Sequence, residues 1–571
     1  MSTRKVIGIS GLYHDSAAAA LEGNEIKFAI QEERLSRVKH DARFPIQAIT
    51  QLLHACKWQL NEVDEIVFYE EPDLKLKRIW NQILDNWPRS WTLFSKHLST
   101  FFRFKHPIEK ILRENLRYKG TFSTCEHHLS HAASTFYTSP FEEALVMTVD
   151  GVGESETLTV SLGKGNALKK VLSIHFPDSL GLFYSVFTQY LGFRVNNGEY
   201  KVMGLAPYGE PKYLDRILGE VLLLHEDGSF HLNQKYFDFC NSDRHFRSRL
   251  VDYLRIPTRV HTDPLTQEHK DLAASVQKAL EAALLNMLRA LQKKYPFKNL
   301  CMAGGVALNC TANAELIRQL GIKLHIHPAA GDAGGALGAA IQGMIPHLPQ
   351  DKTQRFSLTP YLGFAHTSKK INITLRASQV IGSQRDDIEQ EIAKQLAEGH
   401  VVALLQGRDE WGPRALGNRS ILASPLTAEM KDHLNAKIKF REQFRPFAPV
   451  VMEEYYEEYF ETLDMENSPH MLFTHKVKKP SEIPAVVHVN DTGRVQTVNA
   501  DQNPRLHKII DEFRKITGVP VIINTSFNLR GEPIVSNPSD ALKTFFNSGI
   551  DFLALEEYWV RKEDNEDYEN E

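Results

Sequence analysis

Cysteine is scarce in this sequence, and its distribution excludes two common uses of the residue. The 571 residues include five cysteines, Cys56, Cys125, Cys240, Cys301 and Cys310, and no two of them form a CxxC pair. A disulfide framework or a zinc knuckle would need paired, closely spaced thiols. Sparse thiols in odd number are typical of a reducing compartment, so we expect a cytoplasmic protein.

Long apolar runs and a strong net charge are also lacking. No run of about 18 apolar residues occurs, so we expect no membrane-spanning helix. His14 and Asp15 interrupt the apolar start of the chain too early for a signal peptide. The net charge of −4 at pH 7 gives no general reason to bind nucleic acid or an anionic membrane. Any anion site must therefore come from local basic clusters.

Length and composition predict a globular protein with at least two domains. A chain of 571 residues is too long for one hydrophobic core, and 42% hydrophobic and 10% aromatic residues are ordinary values. A polar, proline-containing connection at residues 346–352 separates two parts of different character, so we place a domain boundary near residues 345–370. The acidic residues 563–571 are predicted to be a disordered tail.

In the first part, buried strands repeatedly lead into glycine-rich loops. Strands are predicted at residues 144–149, 300–303 and 325–328, and the loops after them contain Gly151, Gly304, Gly305 and Asp332. A strand that delivers glycines to a helix start offers backbone amides and a positive dipole end to a nucleotide. One such loop is weak evidence, but three in one domain predict a ligand-binding centre.

A pair of histidines suggests a metal site in this part. His127 and His131 are four residues apart, so on a helix they project from one face and can share a ligand. Asp150 follows a predicted strand, where α/β proteins collect their chemistry, and Asp332 supplies a second carboxylate. The alternatives are that the histidines are ordinary surface or core residues and that Asp332 is a helix N-cap.

Basic residues in the second part suggest an anion site. Arginine offers a planar fork to phosphate oxygens, and lysine adds a point charge. Surface charge is the alternative for any single cation, but Arg414 and Arg445 lie among glycine, proline and apolar residues. The other candidates are a lysine, a further arginine and two polar residues at the end of a strand predicted at 521–523: Lys439, Arg494, Asn524 and Ser526.

Two further stretches allow more than one interpretation. Residues 32–40 are densely charged, and form either a solvated helix start or a segment in which Lys39 meets a nucleotide. Residues 73–118 are predicted to be helical, basic and aromatic. Such a mixture can bind nucleic acid, but we favour an insertion that covers the acceptor site.

Motifs along the whole chain resemble one known family. They are HDSAAAA (residues 14–20), EHHLSHAAS (126–134), VDGVGE (149–154), KVMGLAPYG, GGVALN, GDAGGALG, WGPRALGNRSILA, FRPFAPVV and NTSFNLRGEP. In this order they are similar to the motifs of the O-carbamoyltransferases of antibiotic, nodulation-factor and related secondary-metabolite biosynthesis, the NodU/CmcH type. Only residues 73–118 are poorly covered, and no motif position is lost.

The resemblance implies an α/β protein with two domains. Residues 1–355 would form an actin/sugar-kinase-like (ASKHA) domain, and residues 356–571 a YrdC-like domain. The YrdC-like domain would convert carbamoyl phosphate and ATP, bound with Mg, to carbamoyl adenylate. The first domain would then transfer the carbamoyl group to a hydroxyl of a small-molecule acceptor, without nucleic acid or membrane as a partner.

The resemblance also assigns site residues. The metal ligands would be His127, His131, Asp150 and Asp332, with iron(II) as the usual ion, although this ligand set also suits Mn, Co or Zn. Nucleotide contacts would be Lys39, Gly151, Gly304, Gly305 and Asn309. Carbamoyl phosphate contacts would be Arg414, Lys439, Arg445, Arg494, Asn524 and Ser526. His14 would assist the acceptor hydroxyl, and its alternative is a loop histidine bonded to the backbone.

Two other functions remain open at this point. Carbamoyl-type transfer to tRNA would predict a basic face, which the mild net charge does not support. An ATP-binding regulatory protein would use a kinase-like fold without transfer chemistry. The sequence identifies neither the acceptor nor the oligomeric state.

Overall fold

The computed structural model describes residues 3–88, 90–91, 95, 108–239 and 244–565. The chain divides into two compact units: unit 1 comprises Met1–Lys27 and Ala42–Ser357, and unit 2 comprises Phe28–Asp41 and Leu358–Glu571. A short segment near the N-terminus, Phe28–Asp41, therefore belongs to the second unit, and we call it the crossing segment. Within the described ranges, no helix combines the length and apolarity that crossing a membrane requires.

Unit 1 contains a five-stranded sheet built from the first five strands in the order β3-β2-β1-β4-β5. These are β1 (Lys5–Ser10), β2 (Ala17–Glu22), β3 (Glu25–Gln31), β4 (Glu65–Phe68) and β5 (Thr121–Thr124). β1 is antiparallel to β2 and parallel to β4, which is parallel to β5. The residues of β1, β2 and β4 are mostly apolar and almost all buried, as strands covered on both faces require.

A second five-stranded sheet in unit 1 repeats this plan, in the order β12-β11-β6-β7-β8. The strands that follow β5 are β6 (Glu143–Val149), β7 (Glu156–Lys164), β8 (Ala167–His175), β9 (Leu222–Leu224), β10 (Phe230–Leu232), β11 (Asn299–Ala303) and β12 (Lys323–His325). In both sheets three consecutive strands lie side by side and two parallel strands are added next to the first of them. This duplicated order agrees with the expected actin/sugar-kinase-like fold.

The helices that pack on these sheets lie between the strands in sequence. α1 (Glu32–Ser36) belongs to the crossing segment, and the others are α2 (Ile46–Cys56), α3 (Pro72–Asp85), α4 (Ile108–Leu116), α5 (His127–Phe136), α6 (Leu180–Tyr190), α7 (Glu199–Leu205), α8 (Leu214–Arg216), α9 (Ser248–Leu254), α10 (Gln267–Lys294), α11 (Cys310–Leu320) and α12 (Asp332–Met344).

α12 and α5 pack unusually closely in unit 1. A Cβ atom built on Gly338 of α12 would lie 1.7 Å from the carbonyl oxygen of Ser130 in α5. A Cβ on Gly8 of β1 would lie 1.9 Å from the carbonyl oxygen of Ala336. Only glycine allows backbones to approach to this distance. Gly338 of the GDAGGALG motif therefore brings α12 against α5, and Gly8 of β1 brings it against that strand.

Unit 2 is built on an eight-stranded mixed sheet in the order β13-β22-β21-β14-β15-β20-β16-β19. Its strands, together with the hairpin β17-β18, are β13 (Gly382–Gln384), β14 (Val402–Leu405), β15 (Arg419–Ala423), β16 (Ala448–Met452), β17 (Thr474–Lys476), β18 (Thr492–Arg494), β19 (Gln496–Val498), β20 (Val521–Ser526), β21 (Phe552–Leu555) and β22 (Tyr558–Arg561). The helices are α13 (Ser368–Ala377), α14 (Ile388–Ala397), α15 (Glu429–His433), α16 (Tyr456–Tyr459), α17 (Pro504–Thr517) and α18 (Pro538–Phe546). One continuous apolar core joins the sheet to these helices.

The predicted α/β class is confirmed, and the local predictions differ from the structure in few places. The strand expected at residues 325–328 is the shorter β12, because Pro328 has no amide hydrogen and His327 instead lies 3.0 Å from the Ser134 hydroxyl. α3 and α4 are the described helices of the aromatic stretch. Residues 89, 92–94 and 96–107 of that stretch, Cys240 and residues 566–571 of the tail lie outside the described residues.

Candidate functional site

Four side chains predicted as metal ligands meet at one point in unit 1. The ligand atoms of His127, His131, Asp150 and Asp332 all lie within 4.8 Å of one another. Asp150 Oδ2 is 3.1 Å from His127 Nε2 and 3.2 Å from His131 Nε2. Asp332 Oδ1 is 3.9 Å from the first imidazole and 3.5 Å from the second. The structure thus brings together residues more than 200 positions apart in sequence.

Hydrogen bonds between backbone amides and carboxylates fix the positions of His127 and Asp150 in this cluster. His127 and His131 occupy successive turns of α5, as their spacing predicts, and Glu154 Oε1 accepts the His127 amide hydrogen at 2.8 Å. Asp150 follows β6 directly, and its Oδ1 accepts hydrogen bonds from the amides of Gly151 at 2.8 Å and Gly305 at 3.3 Å. One carboxylate oxygen is therefore oriented by the protein, and the other faces the imidazoles.

Asp332 reaches the cluster through the packing of α12. It is the first residue of this helix, and its side chain makes no capping hydrogen bond; Gly331 occupies the cap position. The N-cap alternative is therefore not realised. Because α12 is pinned against α5 by Gly338, the Asp332 carboxylate is held opposite the two imidazoles.

The geometry and the charges of the cluster fit a cation. Two ligand atoms bound to one metal at about 2.1 Å lie roughly 3.0–3.5 Å apart, close to the distances observed here. Burial lowers the pKa of His131, but hydrogen bonds to Asp150 and Asp332 outweigh it and raise that pKa to about 9. Burial raises the pKa of Asp150, and the two imidazoles outweigh it and hold the pKa well below its usual value. The cluster thus favours positive charge at its centre, which a divalent ion would supply.

His14 lies beside this cluster, in the loop between β1 and β2. Its Nδ1 is 3.0 Å from Asp15 Oδ2, and its Nε2 is 3.6 Å from Asp332 Oδ2. Burial lowers the pKa of His14, but the carboxylates of Asp332 and Asp15 outweigh it and raise the pKa well above its usual value. Among the described residues, the ring nitrogens of His14 contact carboxylates rather than the backbone, unlike the loop-histidine alternative.

The predicted nucleotide-binding glycines adjoin the same cluster. Gly304 has φ +94°, and a Cβ there would lie 2.3 Å from the Val149 carbonyl oxygen, so only glycine fits. The adjacent Gly305 is exposed and directs its amide at Asp150. Asn309 is different, because its Oδ1 caps α11 through the Ala312 amide at 3.0 Å and its Nδ2 donates to Gln277 Oε1. Asn309 thereby supports this loop, and its contact with a nucleotide stays a prediction.

In unit 2, Lys439 lies at the centre of a cationic cluster, which we define as Lys39, Lys439, Arg441 and Arg445. Lys439 is 4% exposed, and burial lowers its pKa well below the usual value, helped by the charges of Arg441, Arg445 and Lys39. Its Nζ donates to the carbonyl and hydroxyl oxygens of Ser526, and to the carbonyl and side-chain oxygens of Asn528 at 3.0 Å each. A buried cation among three others indicates an anion site.

The other predicted anion contacts lie on neighbouring segments of unit 2. Ser526 of β20 accepts hydrogen bonds from Lys439. Asn524 of the same strand donates from Nδ2 to Gln496 Oε1 at 2.7 Å and to the Ala415 carbonyl oxygen at 3.2 Å. These bonds join β20 to the neighbours of Arg494, at the end of β18, and of Arg414, in the loop at residues 411–418. All six predicted residues therefore lie in unit 2, on segments that contact each other.

The placement of Lys39 differs from the expectation that it acts with the first domain. It lies in the crossing segment, which belongs to unit 2, and its charge acts on Lys439. The segment is also not a solvated helix start, because Glu32 and Arg34 of α1 are buried at 2% and 1% exposure.

Sequence reasoning assigned no role to three residues that shape these sites. Glu154 holds the start of α5, Asp15 lies beside His14, and Asn528 accepts hydrogen bonds from Lys439. Each lies inside a quoted motif, VDGVGE, HDSAAAA or NTSFNLRGEP, which was the available signal. Their partners are distant in sequence or on another element, so spacing alone could not identify their roles.

Comparisons with known proteins agree with this architecture. Residues 5–341 match the family model for the carbamoyltransferase N-terminus, and residues 393–562 match that for the carbamoyltransferase C-terminus. An uncharacterized protein of Synechocystis sp. is 42% identical over 98% of this chain and 96% of its own. Nodulation protein NolNO of Sinorhizobium fredii is 37% identical over 96% of this chain and 79% of its own.

A third relative carries an activity in its name. The 3'-hydroxymethylcephem-O-carbamoyltransferase of Amycolatopsis lactamdurans is 28% identical over 96% of this chain and 98% of its own. Among solved structures, component A of the (R)-2-hydroxyglutaryl-CoA dehydratase of Acidaminococcus fermentans aligns with 60% of this chain and 97% of that one. Its identity is 14% and its TM-score 0.34, too low to bear on function. On the two family models and the sequence identities, the chain belongs to the carbamoyltransferase family and is a carbamoyl-transferring enzyme.

Proposed function

We propose that this protein is an ATP-dependent O-carbamoyltransferase that uses two sites. Unit 2 would convert carbamoyl phosphate and ATP to carbamoyl adenylate, and unit 1 would transfer the carbamoyl group to a hydroxyl of a small-molecule acceptor. The single observation that carries the proposal is the burial of Lys439 among Lys39, Arg441 and Arg445. Lys439 is buried and the other three cations are half-exposed around it, and a bound anion would offset their charge.

Carbamoyl phosphate has the right chemistry for this cationic site. It is a small dianion, and Arg414, Arg445 and Arg494 would offer forked donors to its phosphate oxygens while Lys439 adds a point charge. Asn524 and Ser526 would orient it from β20. A water molecule hydrolyses carbamoyl phosphate: the water oxygen bonds to phosphorus, the bond from phosphorus to the bridging oxygen breaks, and phosphate and carbamate result. A carbamate oxygen then attacks the α-phosphorus of ATP, and pyrophosphate leaves. Lys39 would act here, on the nucleotide phosphates, because it belongs to unit 2.

In unit 1, the residues would bind the adenylate and prepare the acceptor. The exposed amide of Gly305 and the loop of Gly151 would approach the phosphate of the adenylate. Asp332 is one cause of the raised pKa of His14, and a cation bound by Asp332 would favour the neutral ring. In that neutral form His14 would accept the proton of the acceptor hydroxyl at Nε2, with Nδ1 held by Asp15 at 3.0 Å. The acceptor oxygen then bonds to the carbamoyl carbon, the bond from that carbon to the phosphate oxygen breaks, and AMP leaves.

His127, His131, Asp150 and Asp332 would hold the metal, and we propose iron(II) first, with Mn, Co or Zn also suited to these ligands. When bound, the ion supplies a Lewis acid that polarises the carbamoyl carbonyl and offsets phosphate charge. Mg would accompany ATP at unit 2.

We further propose that the acceptor is a secondary metabolite and that the enzyme works in the cytoplasm. One relative is named for carbamoylation of a hydroxymethylcephem and others for nodulation. The free thiols Cys56, Cys125, Cys301 and Cys310 are consistent with a reducing compartment.

Pyrophosphate release by the purified protein tests the proposal. It should require ATP and carbamoyl phosphate together, and mass spectrometry across a panel of alcohols should detect a product that has gained one carbamoyl group. ATP hydrolysis to ADP without any need for carbamoyl phosphate would contradict the proposal and favour an ATP-binding regulatory protein. Carbamoylation of tRNA instead of the alcohols would move the acceptor to nucleic acid.

A further inference from the structure

The crossing segment places a buried arginine in unit 2. Arg34, in α1, is 1% exposed, and its Nη2 donates to the carbonyl oxygen of Gly412 at 3.0 Å. Its Nε and Nη1 atoms are also buried, and within the described ranges they have no hydrogen-bond partner. A guanidinium has five N–H donors, so most of its capacity is unused.

Three carboxylates, Glu33, Glu410 and Asp409, favour the charge of Arg34, and each accepts hydrogen bonds from other groups. Glu33 Oε2 accepts the His40 amide hydrogen at 2.8 Å. Asp409 is bound by Arg419, with Nη2 2.5 Å from Oδ1, and its Oδ2 accepts the Ser536 hydroxyl. Glu410 Oε1 accepts the amide hydrogens of Leu416, Asn418 and Arg419. Arg34 forms no ion pair with any residue that the structure describes. The hydrogen bond from Nη2 to the Gly412 carbonyl is therefore the directional contact of its side chain.

A buried guanidinium costs free energy unless its donors are used. The side-chain hydrogen bond that offsets this cost is the bond to the Gly412 carbonyl, so the specific contact of Arg34 is with the 411–418 loop. Gly412 has φ +118°, a conformation that favours glycine, and its carbonyl lies two residues before Arg414.

We propose that Arg34 is a positioning residue of the cationic site. Its guanidinium holds the Gly412 carbonyl and thereby fixes the 411–418 loop so that Arg414 meets carbamoyl phosphate. This inference rests on the proposed function and adds a residue to it. It also means that carbamoyl phosphate activation depends on a residue from the first 41 positions of the chain, although the anion contacts lie beyond residue 400.

Arg37, one turn later, provides a matched control. Its Nη1 donates to the Ile534 carbonyl oxygen at 2.7 Å and its Nη2 to the Pro533 carbonyl oxygen at 3.1 Å. Like Arg34, it joins the crossing segment to the rest of unit 2 by hydrogen bonds to backbone carbonyls, but these carbonyls lie outside the 411–418 loop. Comparing variants of Arg34 and Arg37 therefore distinguishes an effect on the position of the 411–418 loop from a general loosening of the crossing segment.

The test uses the full chain and measures the two half-reactions separately. In pyrophosphate release, Arg34→Met should raise the KM for carbamoyl phosphate about ten- to a hundredfold, the range for one hydrogen bond from a charged group. The KM for ATP should stay the same, and Arg37→Met should raise the KM for carbamoyl phosphate much less. Transfer from added carbamoyl adenylate should remain normal in both variants, which shows that the chain is folded.

Three results would overturn the inference while the wild-type enzyme works as proposed. They are an unchanged KM in Arg34→Met, equal KM changes in both variants, and a KM for ATP that rises in parallel. If Arg34→Met is insoluble, Arg34→Gln decides, because it keeps a polar side chain but is too short to donate to the Gly412 carbonyl; a normal KM in that variant rejects the inference. A wild-type protein that releases no pyrophosphate would instead reject the proposed function, and this inference with it.

Discussion

Lys439 illustrates at the scale of one residue how a buried charge serves binding at the expense of stability. Its ammonium group is enclosed, and Arg441, Arg445 and Lys39 all disfavour its charge, which holds its pKa well below the usual value. The oxygens of Ser526 and Asn528 offset part of this cost. An anion would offset more, and would do so only when bound.

Lys439→Met should therefore separate activity from stability. Pyrophosphate release should fall by about a hundredfold or more, since the anion loses its central point charge. The ligand-free protein should be as stable as the wild type or more stable, by up to ~1–4 kcal/mol, since the buried cation is gone. Thermal unfolding and a pyrophosphate assay check this, with the exposed Lys437→Met as the control. A strongly destabilised Lys439→Met would mean that the lysine is a structural residue.

His131 allows a similar test at the candidate metal cluster. We expect His131→Ala to lose bound metal and transfer from preformed carbamoyl adenylate, while pyrophosphate release stays normal, because the ligand lies in unit 1. Elemental analysis and the two half-reaction assays measure this. His54→Ala, at an exposed position in α2, is the control. Normal metal content in His131→Ala would refute the ligand assignment.

His470 predicts a pH dependence of stability in unit 2. Burial lowers its pKa to about 4, whereas the unfolded chain has a histidine pKa of about 6.5. Between these values the unfolded chain binds a proton that the folded chain does not, so stability falls as the pH drops below about 6.5. Across this window the Tm of His470→Gln should fall less than that of the wild type, and the exposed His54→Gln should behave like the wild type. Parallel curves for wild type and His470→Gln would contradict the assignment.

At the scale of elements, the metal cluster depends on the approach of two helices. α5 carries both histidines and α12 carries Asp332, and these helices meet where Gly338 lies against Ser130. The ligand set is therefore a property of helix packing as much as of the ligands.

Gly338→Ala should separate the two helices. The added methyl would lie 1.7 Å from the Ser130 carbonyl oxygen, so α12 must shift, at a cost of about 1–3 kcal/mol, which is typical of overpacking. Metal affinity should fall with the stability, although no ligand has changed. Calorimetric metal titration and thermal unfolding measure both. Gly219→Ala, at a position with open space, is the control, and unchanged metal binding in Gly338→Ala would contradict the role of this packing.

At the scale of the whole molecule, the two sites lie in separate compact units. Activation would use unit 2 with its crossing segment, and transfer would use unit 1. The two half-reactions should therefore respond independently to changes at either site.

Removal of the metal tests this independence. Treatment with a chelator, followed by assay in the presence of Mg²⁺, should abolish transfer from added carbamoyl adenylate and leave pyrophosphate release intact. Iron(II) should restore transfer, and Mn, Co or Zn should restore it to different extents. Loss of pyrophosphate release together with transfer would place the ion in activation as well.

Short-range sequence patterns predicted the fold class and several elements of the candidate site. The α/β class, the strands before Asp150 and Gly304, and the HxxxH pair on one helix face follow from periodicity and spacing, which act over a few residues. The identity of the candidate ligands and anion contacts followed from motifs that resemble a known family. These features depend on neighbours in sequence, so they are visible without the fold.

The sequence by itself determined which side chains are present and on which kind of element each lies. Only the tertiary structure decided that residues 28–41 join unit 2, that Arg34 is buried against Gly412, and that α12 lies close enough to α5 for Asp332 to face His131. The charged composition of residues 32–40 suggested a solvated helix, because burial of Glu32 and Arg34 depends on partners hundreds of residues away. Contacts of that separation leave no periodic trace in the chain, and they arise only when the packed core brings the segments together.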